Sequence, residues 1–178
     1  MINLGDPFPE FTKKATVSTE YGKEFADINT NEHKKNKRWM VMFWYPKDFT
    51  FVCPTEISEF NNMFEEFNKR NTDLLGASTD SEYVHLAWRK DHKDLHDLKF
   101  PLIADTSKSL AEALGILEKD EKVAYRVTLI TDPDGIIRWI CANDLSVGRN
   151  VNEVVRVLDA LQSGALTPCN WKPGEKTL

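Results

Sequence analysis

The chain has 178 residues, 41% hydrophobic and 29% charged, with 8 Gly and 8 Pro. That is about one domain with enough apolar residues to bury a core, and it excludes a disordered or collagen-like chain. Lys and Arg number 23 against 28 Asp and Glu, a formal charge of −5, which excludes the basic footprint of backbone-driven nucleic-acid binding.

In chain order, the N-terminal MINLGDPFPEF has no basic start followed by an apolar stretch, so no secretory signal is expected and the address reads as cytoplasmic. Lys34 to Arg38 is a basic cluster, expected as a solvated loop. Trp39 to Tyr45 is the longest apolar run. It is far short of the ~20 residues that span a bilayer, so no membrane partner is expected. Apolar on both faces, it predicts a central strand, stopped by Pro46. From Pro54, the positions Ile57, Phe60, Phe64 and Phe67 recur at three and four residues, one buried face of a single helix. Leu74–Thr79 predicts a second buried strand, Glu82–Leu95 a helix, and Phe100–Ala104 a strand interrupted by Pro101. Thr106 or Ser107 can cap a short helix that Gly115 closes. Val127–Ile130 and Ile136–Ala142 flank Asp132-Pro133-Asp134-Gly135, a hairpin turn. Val151–Leu161 carries a last apolar stripe. The order predicts an α/β fold with a central mixed sheet flanked by helices. No internal repeat divides it: residues 1–163 are expected to form the domain and 164–178 an irregular C-terminal arm.

The three cysteines have no repeated spacing and do not read as a disulfide framework; in a reducing compartment they are packed, metal-binding or catalytic. Cys53 stands out. It lies between the end of a buried strand and a helix that Pro54 can start. Free amide groups at a helix N-terminus favour a thiolate, the nucleophilic form, over a thiol. Thr50, three residues earlier, can bring its hydroxyl beside the sulfur, and Pro46 ends the strand and shields the loop. Cys141, inside the strand Trp139-Ile140-Cys141-Ala142, is expected to pack.

The run FTFVCPTE (49–56) resembles the active-site block of the peroxiredoxins, in their typical two-cysteine form. The likeness continues through LIAD (102–105), YRVTLI (125–130), NDLSVGR (143–149) and CNWKPG (169–174). The resemblance implies a thioredoxin-like fold and thiol-dependent reduction of hydrogen peroxide and small organic hydroperoxides, with no metal, haem, flavin or other cofactor. Cys53 is then the peroxidatic cysteine. Thr50 and Arg126 match the groups that aim a hydroxyl and a permanent positive charge at the oxygen being expelled, where stabilisation of developing charge counts most. Pro46, Glu56 and Arg149 match residues that shield or hold these groups, and Trp88 matches a tryptophan packed near the loop.

Attack on peroxide leaves a sulfenic acid, which a second thiol condenses to a disulfide before irreversible oxidation. Cys169, in a stretch rich in Pro and Gly near the C-terminus, is the candidate, on an arm expected to be mobile. By resemblance its partner is Cys53 of the other subunit of a homodimer, and dimers can assemble into a decameric ring. The reducing partner is left open between thioredoxin, a flavoprotein reductase and another dithiol protein. Where eukaryotic-like members carry a Gly-Gly-Leu-Gly insertion and a C-terminal Tyr-Phe helix, this chain has Asp91-His92-Lys93-Asp94-Leu95-His96 and stops at Leu178, so relative resistance to sulfinic inactivation is expected. Three rivals are weaker. His92 and His96 share the spacing of a zinc pair but lack a nearby third ligand, and a solvated charged helix is preferred. A dithiol oxidoreductase needs Cys-x-x-Cys, and Glu56 occupies the second position. The last alternative is a redox-sensing or chaperone protein with little turnover.

Overall fold

The computed structural model describes residues 2–178. The apolar run predicted as a central strand is one: β3 (Trp39–Trp44) is buried from Met40 onward. Its side chains alternate between two cores, as a strand's period of two requires. Val41 and Phe43 join Ile57, Phe60, Phe67 and Leu158 on one face. Met40, Met42 and Trp44 join Phe8, Leu110 and Leu114 on the other.

The remaining strands are β1 (Thr12–Thr16), β2 (Phe25–Asn29), β4 (Thr72–Ser78), β5 (Leu102–Ala104), β6 (Arg126–Thr131) and β7 (Ile137–Asn143). Seven strands make one mixed sheet in the order β2-β1-β5-β4-β3-β6-β7. β3, β4 and β5 run parallel, while β6 lies antiparallel to β3 with Phe43 opposite Thr128. The helices are α1 (Asn31–Lys35), α2 (Cys53–Asn62), α3 (Phe64–Lys69), α4 (Glu82–Asp91), α5 (Ser109–Leu114) and α6 (Val151–Ser163). The expected α/β class and mixed sheet are thus present, and no helix among the described residues is long and apolar enough to cross a membrane.

Four local expectations need correction. The helix after Pro54 is two helices: Met63, at φ −90 and ψ 3, closes α2 and opens α3. Asn61 and Asn62 end α2, and asparagine competes for backbone hydrogen bonds; the Asn61 carbonyl oxygen accepts from the Lys99 amide at 2.9 Å. The helix from Glu82 stops at Asp91, because Leu95, Leu98 and Phe100 turn back into the core. Buried Arg89 donates to the carbonyls of Leu98 and His96, at 3.1 and 3.4 Å, and so supplies partners to that irregular backbone. Neither Thr106 nor Ser107 caps α5: Asp105 reaches forward instead, accepting from the amides of Leu110 and Ala111 at 3.4 and 2.8 Å. The basic cluster at 34–38 is partly helical, since α1 runs through Lys35.

Beyond α6 the chain forms turns without helix or strand. Trp171 is buried there, its carbonyl accepting from Arg156 at 3.0 Å, and the Leu178 amide donates to Leu166 O at 2.8 Å. Cys169 stays exposed in this segment.

Gly76 marks the tightest point between β3, β4 and β5. A Cβ there would meet Leu102 Cδ2 at 2.8 Å and the Phe43 ring at 2.9 Å. Gly76→Ala is therefore expected to lower stability by about 1–3 kcal/mol, the usual cost of overpacking, measured as a shift of the urea midpoint at unchanged slope.

Candidate active site

β3 points its C-terminal end at a short connection, residues 45–52, that turns into α2 with Cys53 as the first helical residue and Pro54 as the second. Pro is tolerated there because its missing N–H would have had no helical partner. β6 is antiparallel to β3, so its first residue, Arg126, arrives beside that same end. Arg149 comes from the segment just before α6, whose N-cap is Asn150. Residues far apart in sequence are thus delivered to one spot by strand ends and helix starts.

The Cys53 side chain is fully buried, and its sulfur accepts from Arg126 Nη1 at 3.3 Å. The same Nη1 donates to Glu56 Oε2 at 2.7 Å, and Arg126 Nε donates to the Leu145 carbonyl at 2.8 Å. Burial opposes the Arg126 charge, but the sulfur of Cys53 and the carboxylate of Glu56 outweigh it and lift its pKa above the ordinary value. Arg149 donates to both Glu56 oxygens, from Nε at 2.9 Å and Nη2 at 2.8 Å, and its own amide adds a third bond at 2.9 Å. Its guanidinium carbon lies 5.3 Å from the centre of the Phe43 ring and 5.7 Å from that of Phe60, two rings that stack at 4.0 Å. Two guanidinium groups share one carboxylate, so the cluster carries one surplus positive charge beside the sulfur. A thiolate there is the charge that balances it.

Pro46, Thr50, Val52, Cys53, Arg126 and Leu145 line a cleft of about 260 Å³. Pro46 is buried at its wall. Thr50 borders the cleft, but its hydroxyl donates to Lys47 O at 2.9 Å rather than to the sulfur, a correction to the expected pairing. Free to accept through its remaining lone pairs, that oxygen is also held at the cleft's rim. Trp88 is buried with its ring 5.9 Å from that of Phe49, so packing and proximity to the loop coincide.

Cys53 and Cys169 are both free thiols, one buried and one exposed. Cys141 is half-buried in β7, with its sulfur 3.7 Å from Asn143 Oδ1. His92 and His96 follow the end of α4 and share no helix face. Sequence reasoning missed the Leu145 carbonyl and the Phe43–Phe60 seat under Arg149. Neither leaves a local signal, since both depend on which strands are neighbours.

The AhpC/TSA family pattern matches residues 4–140. Alkyl hydroperoxide reductase C of Mycobacterium tuberculosis is 45% identical over 186 residues, an alignment spanning 100% of this chain and 94% of that protein. The chain belongs to the AhpC/TSA family of peroxiredoxins. Among solved structures, Mycobacterium tuberculosis AhpC superposes with a TM-score of 0.87 at 43% identity, covering 97% of this chain and 99% of that one. The reduced 2-Cys peroxiredoxin of Plasmodium vivax gives 0.90 at 34% identity, covering 98% and 91%. The fold is accordingly the thioredoxin-like fold of peroxiredoxins, and this peroxiredoxin is a thiol-dependent peroxidase.

Glu56 holds both guanidinium groups of the peroxiredoxin site while only 4% exposed. Glu56→Ala leaves two buried positive charges without their carboxylate, and a loss of about 3–5 kcal/mol in unfolding free energy is expected. Chemical denaturation measures it; a loss below 1 kcal/mol would show that the cluster carries little of the fold's stability.

Proposed function

We propose that Cys53 reduces hydrogen peroxide and small organic hydroperoxides as the peroxidatic cysteine. The observation that carries this is the 3.3 Å contact between its sulfur and Arg126 Nη1 at the start of α2. The thiolate attacks one peroxide oxygen, an S–O bond forms, and the O–O bond breaks with its electron pair on the departing oxygen. That oxygen takes a proton and leaves as water or an alcohol. The sulfur, oxidised by two electrons, is left as a sulfenic acid.

Arg126 neutralises the charge that grows on the expelled oxygen, and the Thr50 hydroxyl orients the incoming peroxide from the rim of the cleft. Donors fixed in advance lower the barrier because they need no rearrangement at the moment of reaction. Glu56 and Arg149 keep Arg126 aimed, and Pro46 keeps bulk water off the sulfur. No cofactor is needed in this scheme: the electrons come from thiols.

Cys169 is the resolving cysteine in this reading, on an arm formed by residues 164–178 beyond the domain at 1–163. Its thiol displaces hydroxide from the Cys53 sulfenic acid, giving a disulfide and water. The two cysteines belong to opposite subunits of a homodimer, a pairing consistent with the exposure of Cys169 and its absence from the Cys53 cleft, and dimers can close into a decameric ring. A dithiol protein, thioredoxin or the partner of a flavoprotein reductase, then reduces the disulfide. The reducing cytoplasm suits a cycle that must return both thiols.

Paired variants test this. Cys53→Ser is expected to abolish peroxide consumption. Cys169→Ser is expected to keep one fast turnover while losing both the dimer-sized band on a non-reducing gel and recycling by dithiol. Full turnover by Cys53→Ser would end the assignment.

A further inference from the structure

A second buried pair of charged side chains lies outside the sulfur's contacts, at the other end of the connection that carries Cys53. Asp48 and His85, whose side chains are 1% and 0% exposed, meet at 2.7 Å between Asp48 Oδ2 and His85 Nδ1. An ionised carboxylate only accepts, so the ring donates there. The other ring nitrogen lies 3.3 Å from Ile103 O in β5, and the Tyr45 hydroxyl is 3.3 Å from Nδ1. The Asp48 amide donates to Asp80 Oδ2 at 2.8 Å. Residue 48 is thus tied through its side chain to α4 and through its backbone to the segment that follows β4.

The rest of the connection is weakly held. Phe49 sits at φ +55, a left-handed conformation that costs an aromatic residue energy, and is 53% exposed; Phe51 is 94% exposed. Lys47 pairs with Glu121 only at the surface, where such pairs contribute little. The Thr50 hydroxyl bonds within the connection itself. Asp48 is therefore the buried anchor at the boundary between rigid β3 and a strained, exposed turn. On the far side of that turn the Cys53 sulfur is sealed, although a disulfide requires Cα atoms within about 7 Å and so requires the turn to open.

We propose that Asp48 and His85 are positioning residues that set how the oxidised site is partitioned, an inference that rests on the assignment of Cys169 as the resolving thiol. With the latch closed, the Cys53 sulfenic acid stays in the peroxide cleft, where a second peroxide adds one oxygen to give a sulfinic acid and water. With it open, the turn unwinds and the sulfenic acid condenses with the Cys169 thiol to a disulfide and water. The latch retains the sulfur for chemistry and delays its handover.

Full-length Asp48→Asn and His85→Gln, each close in size to the residue it replaces, test this. Rapid mixing with one equivalent of hydrogen peroxide follows Cys53 oxidation and then disulfide formation; mass spectrometry at excess peroxide counts sulfinic against disulfide. In both variants disulfide formation is expected to rise about 5-fold, the effect of a small shift in a local opening equilibrium. The sulfinic fraction is expected to fall in proportion, with initial oxidation no faster than in the wild type. A merely structural role would lower the melting temperature without speeding the disulfide. Disulfide formation at or below the wild-type rate in folded variants overturns the proposal. Should both variants misfold, amide exchange in the wild type decides: the Asp48 amide must be protected well beyond that of Phe51, and equal rates overturn the latch. Cys169→Ser run alongside separates the two levels, because a disulfide that persists there refutes the resolving assignment and not the latch.

Discussion

The guanidinium of Arg126, shared between the Cys53 sulfur and the Glu56 carboxylate, is the contact around which the site is arranged. Buried ions are costly unless their hydrogen bonds are complete. Glu56 meets that condition by accepting from Arg126, from two Arg149 nitrogens and from the Arg149 amide, all at 2.7–2.9 Å. Removing the carboxylate would leave two like charges facing each other; removing one arginine would cancel the surplus that the sulfur experiences. The cluster works as a unit because each member's burial is tolerable only in the presence of the others.

The sheet order makes this unit possible. A parallel neighbour of β3 would begin at the end remote from Cys53, whereas antiparallel β6 begins beside it, bringing Arg126 to the mouth of α2. The same antiparallel step leads through β7 to the segment holding Leu145 and Arg149. Between the two arginines, Phe43 and Phe60 supply a stacked apolar floor under Arg149. The core and the charged site therefore share residues: Phe43 is both a fully buried strand residue and a face for a guanidinium.

What could be read from the chain follows the range of the forces involved. β3, β4, the 126–143 hairpin and α6 announce themselves through local periodicity, and their structural bounds agree to within a few residues. β1 and β2 were invisible, because Thr12-Lys13-Lys14 and Phe25-Ala26-Asp27 do not form a clean apolar alternation; their stability comes from pairing with each other and with β5. Cys53 was legible as a cysteine at a strand-to-helix turn, while Arg126 needed the family likeness, since an arginine at the start of a strand has no local mark. The Thr50 hydroxyl went to the Lys47 carbonyl because its own turn offered the nearer acceptor. Asp48 and His85 lie 37 positions apart, and nothing in either neighbourhood foretells their meeting.

Sealing the sulfur and releasing it make opposing demands on the same few residues. A closed turn excludes water and strengthens the guanidinium's field at the sulfur, and full burial of Cys53 beside Arg126 serves that end. Cys169 stands exposed, so any bond between the two thiols must sacrifice part of the packing that favours reaction with peroxide. A rigid helix through residues 46–52 would make that sacrifice prohibitive, and an unanchored loop would leave the sulfur poorly placed. A left-handed Phe49 immediately after a buried Asp48 occupies the middle ground: strain lowers the cost of opening, and the anchor confines the movement to the residues between it and the sulfur.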